Sequence, residues 1–186
     1  SSEPGAWTFV TMSDEYMLGG TYTGLVLYRK EKGQWVFDRK LDGLKESCRI
    51  MVKDEDQSIW ISHPYRGVYN VRWNAGNKDK IDIRFFNQEN GLPTNLNNYV
   101  FQIAGKAVFA TEKGVFHFDR SKDTFVPDDD FNRLLDKQHR VRYLREDTKG
   151  NVWYVTDHEA GMLIVNDFGL KKEVRKKVIP ELAGKL

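Results

Sequence analysis

Catalysis near neutral pH most often enlists histidine, and this chain places its four, His63, His117, His139 and His158, far apart in sequence. No two of them have the close spacing of a metal-binding pair such as H-E-x-x-H. The most suggestive group is Asp157-His158-Glu159, because a carboxylate can orient an imidazole for general base work. Neighbouring side chains of a short, strand-like loop diverge, however, so the triplet reads as an exposed loop and no catalytic residue is expected. The lone cysteine, Cys48, excludes an internal disulfide and a cysteine-based metal site, and reads as a small residue entering a strand. The acidic runs Asp54-Glu55-Asp56 and Asp128-Asp129-Asp130 lack the alternating spacing and distal glutamate of a calcium loop. They are expected to be solvated, with no metal and no cofactor bound.

The elements that must position any such group come from the whole chain. Its 186 residues are 40% hydrophobic, enough to bury a core, and 29 basic against 27 acidic residues leave a net charge of only +2. That balance gives no concentrated basic face for nucleic acid. There is no apolar run of about 18 residues, so neither nucleic acid nor membrane is an expected contact of this segment. The chain opens SSEPGAW, without methionine or leader, and is expected to be a trimmed or processed piece of a longer protein.

Four stretches resemble one another: YMLGGTYTGLVLY from Tyr16, IWISHPYRGVYNV from Ile59, VFATEKGVFHF from Val108 and VWYVTDHEAGMLIV from Val152. Each is a short apolar strand, a polar loop, a glycine and a second strand. The glycines, Gly24, Gly67, Gly114 and Gly161, lie 43, 47 and 47 residues apart. A further strand precedes each stretch (WTFVTM, RIMVKD, YVFQIA, VRYLRED), joined by turns of hairpin composition such as DEDQS and DTKGN. Another follows in most, as QWVFD, IDIRFF and DTFV. A period of about 45 residues holding four antiparallel strands is that of a propeller blade. The reading is therefore all-β, a partial β-propeller of about four blades at 7–38, 49–86, 99–126 and 141–178, with 179–186 starting a further blade. Helix is expected only at DDDFNRLLDKQHR, with acids at its start and bases at its end.

Two motifs go beyond generic blades. The connection FFNQENGLPTNLNNYVFQI carries an "nGLP-s/t-n" signature, and REDTKGNVWYVTDHEAGMLIVN follows "E-D-x-x-G-x-x-W-x-x-T-x-x-x-G". Together they resemble the two-component regulator propeller repeat of extracytoplasmic sensors in bacterial hybrid histidine kinases and related helix-turn-helix regulators, especially of Bacteroidetes. The second unit fits without the turn glycine; the third is looser, with Phe109 standing where Trp60 and Trp153 stand. The resemblance implies a periplasmic or extracytoplasmic sensing segment of an inner-membrane regulator, non-catalytic and, on the resemblance alone, responsive to a carbohydrate-derived signal. Its implied partners are a small-molecule or oligosaccharide signal and the remaining blades and downstream domains of a parent sensor, with self-association of the fragment as a further expectation. Two rivals remain open: a propeller lyase or glycan hydrolase, and a protein-interaction propeller. Streptogramin-lyase-type propellers share the G-x-x-W turn, but their catalytic histidine context is not found here.

In a propeller, the loop between the second and third strands of each blade opens on the same rim as the connections between blades. That rim gathers Tyr22, His63, Tyr65, Arg66, Asp157 and His158, joined by Asn95 and Asn97 from the GLP connection. These are the candidate ligand-binding residues, since hydrogen-bonding and flat apolar groups suit a hydroxyl-rich ligand. Trp60, Trp153 and Phe109 follow a strand's period and are expected to fill the core.

Overall fold

The computed structural model describes residues 5–73, 80–135, 139–168 and 171–180. The described residues hold sixteen strands in four separate four-stranded sheets. The first sheet holds β1 (Thr8–Thr11), β2 (Tyr16–Thr21), β3 (Gly24–Glu31) and β4 (Gln34–Leu41). The second holds β5 (Ile50–Lys53), β6 (Ile59–His63), β7 (Gly67–Trp73) and β8 (Ile81–Phe86). The third holds β9 (Tyr99–Ile103), β10 (Lys106–Thr111), β11 (Gly114–Asp119) and β12 (Thr124–Pro127). The fourth holds β13 (Val141–Glu146), β14 (Val152–Thr156), β15 (Ala160–Phe168) and β16 (Lys171–Val178). Within each sheet, strands pair antiparallel in chain order. The first sheet runs to Leu41, three residues beyond the expected edge, because Leu41 pairs with Leu25 and is buried. Most of 179–186, expected to begin a further blade, lies outside the described residues.

Alternation along each strand sends side chains to both faces, and both faces of the two middle sheets are covered. Leu18, Leu25 and Leu27 of the first sheet pack with Met51, Ile59 and Ile61 of the second. Trp60, Val68 and Phe86 of the second meet Phe109, Phe116 and Phe125 of the third. Val108, Ala110 and Val115 of the third meet Leu144, Val152 and Tyr154 of the fourth. The first strands β1, β5, β9 and β13 contact one another in that order, while no comparable packing joins β13 to β1 among the described residues. The sheets thus form an open arc.

Three repeat glycines have backbone conformations that disfavour a side chain: Gly24 at φ 122°, Gly67 at 125° and Gly114 at 96°. A Cβ on Gly24 would also collide with the Leu44 carbonyl, and one on Gly67 with the Phe86 carbonyl. The repeat glycine therefore marks where a hairpin lies against the connection leaving its own sheet. The GLP signature has a similar basis. Gly91, at φ 90°, closes a 3-10 turn over Gln88–Asn90, and Leu92 enters the core between the second and third sheets. The expected helix is present as α1 (Asp129–Leu135), where Asp128 Oδ1 accepts the Phe131 amide and Leu135 is buried.

Three expectations are corrected. Phe109 does not occupy the place of Trp60 and Trp153: it faces the preceding sheet, whereas Trp60 faces the following one, and the two rings meet at 5.2 Å. The two-residue turn Glu112-Lys113, shorter than the loop between β6 and β7, changes which residue of β10 lies level with Trp60. Trp153 is no core filler, being 40% exposed on a sheet face that no further sheet covers among the described residues. Asp54 is not solvated but 6% exposed. Its Oδ1 accepts the amides of Glu55 and Ala107, and its Oδ2 accepts the Trp60 indole N–H at 3.0 Å and Arg120 at 2.6 Å.

Candidate ligand-recognition rim

The loops between second and third strands do share a rim with the connections between sheets, and each predicted site residue there has a local partner. The Tyr22 hydroxyl accepts from Arg49 at 2.9 Å, and the Arg49 guanidinium lies 5.0 Å from the Trp7 ring and 5.1 Å from the Tyr22 ring. His63 and Arg66 converge on Glu46, at 3.5 Å and 2.7 Å. The Tyr65 amide donates to His63 Nδ1, so Nε2 is the nitrogen turned to Glu46, while the Tyr65 side chain is 75% exposed. Asn97 sits in the left-handed region at φ 57°, its backbone N–H donating to the Pro64 carbonyl at 3.0 Å and its side chain to Glu112 at 2.9 Å. Asp157 pairs with Arg142 at 2.7 Å, and the His158 ring lies 4.1 Å from that of His139.

The eight candidates therefore form neighbouring clusters along the arc and do not converge on one point. Asn95 belongs to none of them in a binding sense, because its Oδ1 accepts the Gln88 amide and fixes the connection. The sequence reading missed Glu46, Arg49, Arg142 and His139, which with Glu112 anchor the exposed members. These four flank the crossings between sheets, where polar residues carried no pattern of their own.

A concavity of about 540 Å³ lies alongside the rim, between the first strands β5, β9 and β13. Tyr99, Phe101, Gln102, Arg142 and Tyr143 contribute to its wall. The Phe101 and Tyr143 rings pack edge to face at 5.2 Å, and Arg142 lines the same concavity. Tyr99 donates to Asn97 at 3.3 Å and Arg142 to Asp157, so two of the rim clusters open onto this concavity. Flat aromatic surface beside planar hydrogen-bonding groups is the composition that holds a polyhydroxylated ligand.

Among the described residues no cluster of three or more His, Cys, Asp or Glu could hold a metal ion. His117 Nδ1 lies 3.4 Å from Asp128, in a different cluster from the other histidines. Burial pushes the Cys48 thiol up to about 12, with the Glu46 carboxylate adding to the rise, which keeps it protonated and unreactive at neutral pH. On the opposite rim, burial alone would raise the Asp56 carboxyl. Hydrogen bonds from Ser58 and Arg120 outweigh it and hold the group below the usual carboxylate range.

No family model matches the chain and no curated protein does. Solved structures do. The extracellular domain assigned to the hybrid two component system BT3049 from B. thetaiotaomicron superposes with a TM-score of 0.59 at 19% identity, over 94% of this chain and 23% of that one. Two structures of the BT4673 extracellular domain from the same organism, described as belonging to a one component and a hybrid two component system, give 0.58 and 0.57 at 18% identity. They cover 94% and 86% of this chain and 22% and 20% of theirs. The chain thus spans less than a quarter of the structures it matches. At this identity the likeness shows the fold alone.

Proposed function

We propose that this chain is a ligand-recognising, non-catalytic part of the extracytoplasmic sensor of a bacterial two-component or related transcriptional regulator, and that its signal is derived from carbohydrate. The observation that carries the reading is the aromatic-walled concavity between β5, β9 and β13, with Arg142 and Tyr99 tied to the rim. The likeness to extracellular domains of hybrid two component systems supports the sensor role. Among the described residues no helix is long and apolar enough to cross a membrane. Binding would act by favouring one arrangement of the full sensor, since a ligand of equal affinity for two states shifts neither.

The test is a glycan-array screen of this chain followed by calorimetry on the glycan captured. Tyr99→Ala and Arg142→Ala should each weaken binding by about tenfold, the scale expected for losing one stacking or charged contact. Binding that ignores both variants places recognition elsewhere. Release of product from the captured glycan, lost in His158→Ala, would make the chain an enzyme instead.

A further inference from the structure

A tyrosine hydroxyl can give a hydrogen bond or take one, and a phenol on a pocket wall is ordinarily free to do either. Tyr99, on the wall of the concavity between β5, β9 and β13, is not free. Its hydroxyl donates to Asn97 Oδ1 at 3.3 Å, and Asn97 Nδ2 donates in turn to Glu112 Oε1 at 2.9 Å. The direction of this chain of bonds is set at its far end. An ionised carboxylate only accepts, so Glu112 obliges Asn97 to turn its amino group toward it and its carbonyl oxygen toward Tyr99. The backbone of Asn97 is held as well, at φ 57° with its N–H on the Pro64 carbonyl. Tyr99 thus commits its one proton to Asn97 and keeps its lone pairs for whatever enters the concavity.

Arg142 is fixed in the opposite sense. Its Nε donates to Asp157 Oδ1 at 2.7 Å, and because a guanidinium has no acceptor, its two terminal amino groups can only give. It stands at a β-bulge: Val141 pairs with Thr156 and Tyr143 with Val155, so Arg142 is the extra residue of β13. Arg142 and Tyr143 are both exposed and both line the concavity, whereas strict alternation would send them to opposite faces. The wall therefore offers an acceptor at Tyr99 and donors at Arg142. Its charge is not cationic. Arg142 and Arg145 stand against Glu146 of the wall and the two tethering carboxylates, Asp157 and Glu112, and no cation pairs with Glu112 among the described residues.

We propose that Glu112 is the positioning residue that fixes Tyr99 as an acceptor, and that the concavity thereby selects an uncharged, hydroxyl-rich part of a glycan over a carboxylated or sulfated one. The inference rests on the carbohydrate reading given above. Neighbouring hydroxyls of a sugar ring answer both groups, one giving its proton to Tyr99 while the oxygen of the other takes a bond from Arg142. A carboxylate or sulfate only accepts. It would satisfy Arg142 but set its oxygens against the Tyr99 lone pairs and against three carboxylates, which charge repulsion disfavours. Glu112 is no part of the wall, so it reaches the ligand only through Asn97 and Tyr99.

The test is an array of neutral, uronic-acid-containing and sulfated oligosaccharides, followed by calorimetry with the strongest neutral binder and its mono-O-methyl derivatives, each of which loses one donor and keeps the oxygen. The chain should capture neutral glycans, and methylation at one position should weaken binding by about tenfold, the scale of one hydrogen bond. Glu112→Gln can donate as well as accept and so lets the Asn97 amide turn over; it should cut that discrimination to about threefold or less, with an unchanged circular dichroism spectrum. In Tyr99→Phe the discrimination should be gone, and Glu112→Gln added to it should change nothing further. Independent losses from the two substitutions would give Glu112 a merely structural role and overturn the proposal, as would methylation that is harmless at every position. Preferential capture of a carboxylated or sulfated glycan overturns the selectivity and leaves the carbohydrate reading standing, whereas capture of no glycan removes that reading and this inference with it.

Discussion

Asp54 and Trp60 are joined through the indole N–H at 3.0 Å, and the same carboxylate reaches across to the Ala107 amide and Arg120 of the next sheet. One side chain thus closes a turn, fixes a core tryptophan and joins two sheets. Asp54→Ala leaves a buried indole N–H and a buried amide unsatisfied and Arg120 with Asp56 as its remaining carboxylate, and should cost about 3 kcal/mol. Asp147→Ala, at an open face, should cost clearly less. Urea denaturation of both variants decides it, and equal losses would mean that the bonds between sheets add nothing.

Trp60 and Trp153 share a motif position but differ in surroundings. Trp60→Ala removes a ring packed against Phe86, Phe109, Phe118 and Phe125 and should destabilise by about 3–5 kcal/mol. Trp153→Ala should leave monomer stability within about 1 kcal/mol, as an exposed substitution does. Thermal melts of the two variants at low protein concentration make the comparison.

The repeat glycines offer a third measurement. Gly67→Ala combines a φ of 125° with a collision at the Phe86 carbonyl, and should cost more than about 3 kcal/mol. Gly33→Ala has φ 83° but nothing within 4 Å of the new Cβ, so only backbone strain of about 1 kcal/mol is expected. Chemical denaturation should separate the pair.

Cys48 sets a pH dependence. Its folded pKa is raised to about 12, so the folded protein keeps a proton that the unfolded chain loses above its ordinary value of 9.0. Its contribution is fully present below pH 9 and falls as pH rises toward 12. Native protein at pH 8 should react slowly with a thiol reagent and quickly once unfolded. Between pH 9 and 11 the parent should lose stability faster than Cys48→Ala; parallel curves would refute the linkage.

How much of this was legible in the sequence depended on whether a residue's task was local. Strand alternation, hairpin turns and the 43- and 47-residue spacing of glycines are local, and the four sheets follow from them. The face to which Phe109 points was hidden, because motif alignment follows similarity whereas side-chain direction follows strand register, which the short Glu112-Lys113 turn changes. Asp54 read as a solvated acid because its partners Ala107 and Arg120 lie 53 and 66 residues away. On the rim, Tyr22, His63, Arg66 and Asp157 were placed by loop position, but Glu46 lay in a crossing and Arg142 at the start of β13, where no repeat pattern flagged a polar residue.

The order in which the sheets pack has a consequence for biosynthesis. Among the described residues, each extensive interface joins segments consecutive in the chain, the first sheet to the second, the second to the third and the third to the fourth. A chain emerging from the ribosome can therefore complete one sheet and lay the next upon it without waiting for a distant strand. A lesion in the fourth sheet should then leave the first two folded, whereas one in the second deprives both of its neighbours of their template.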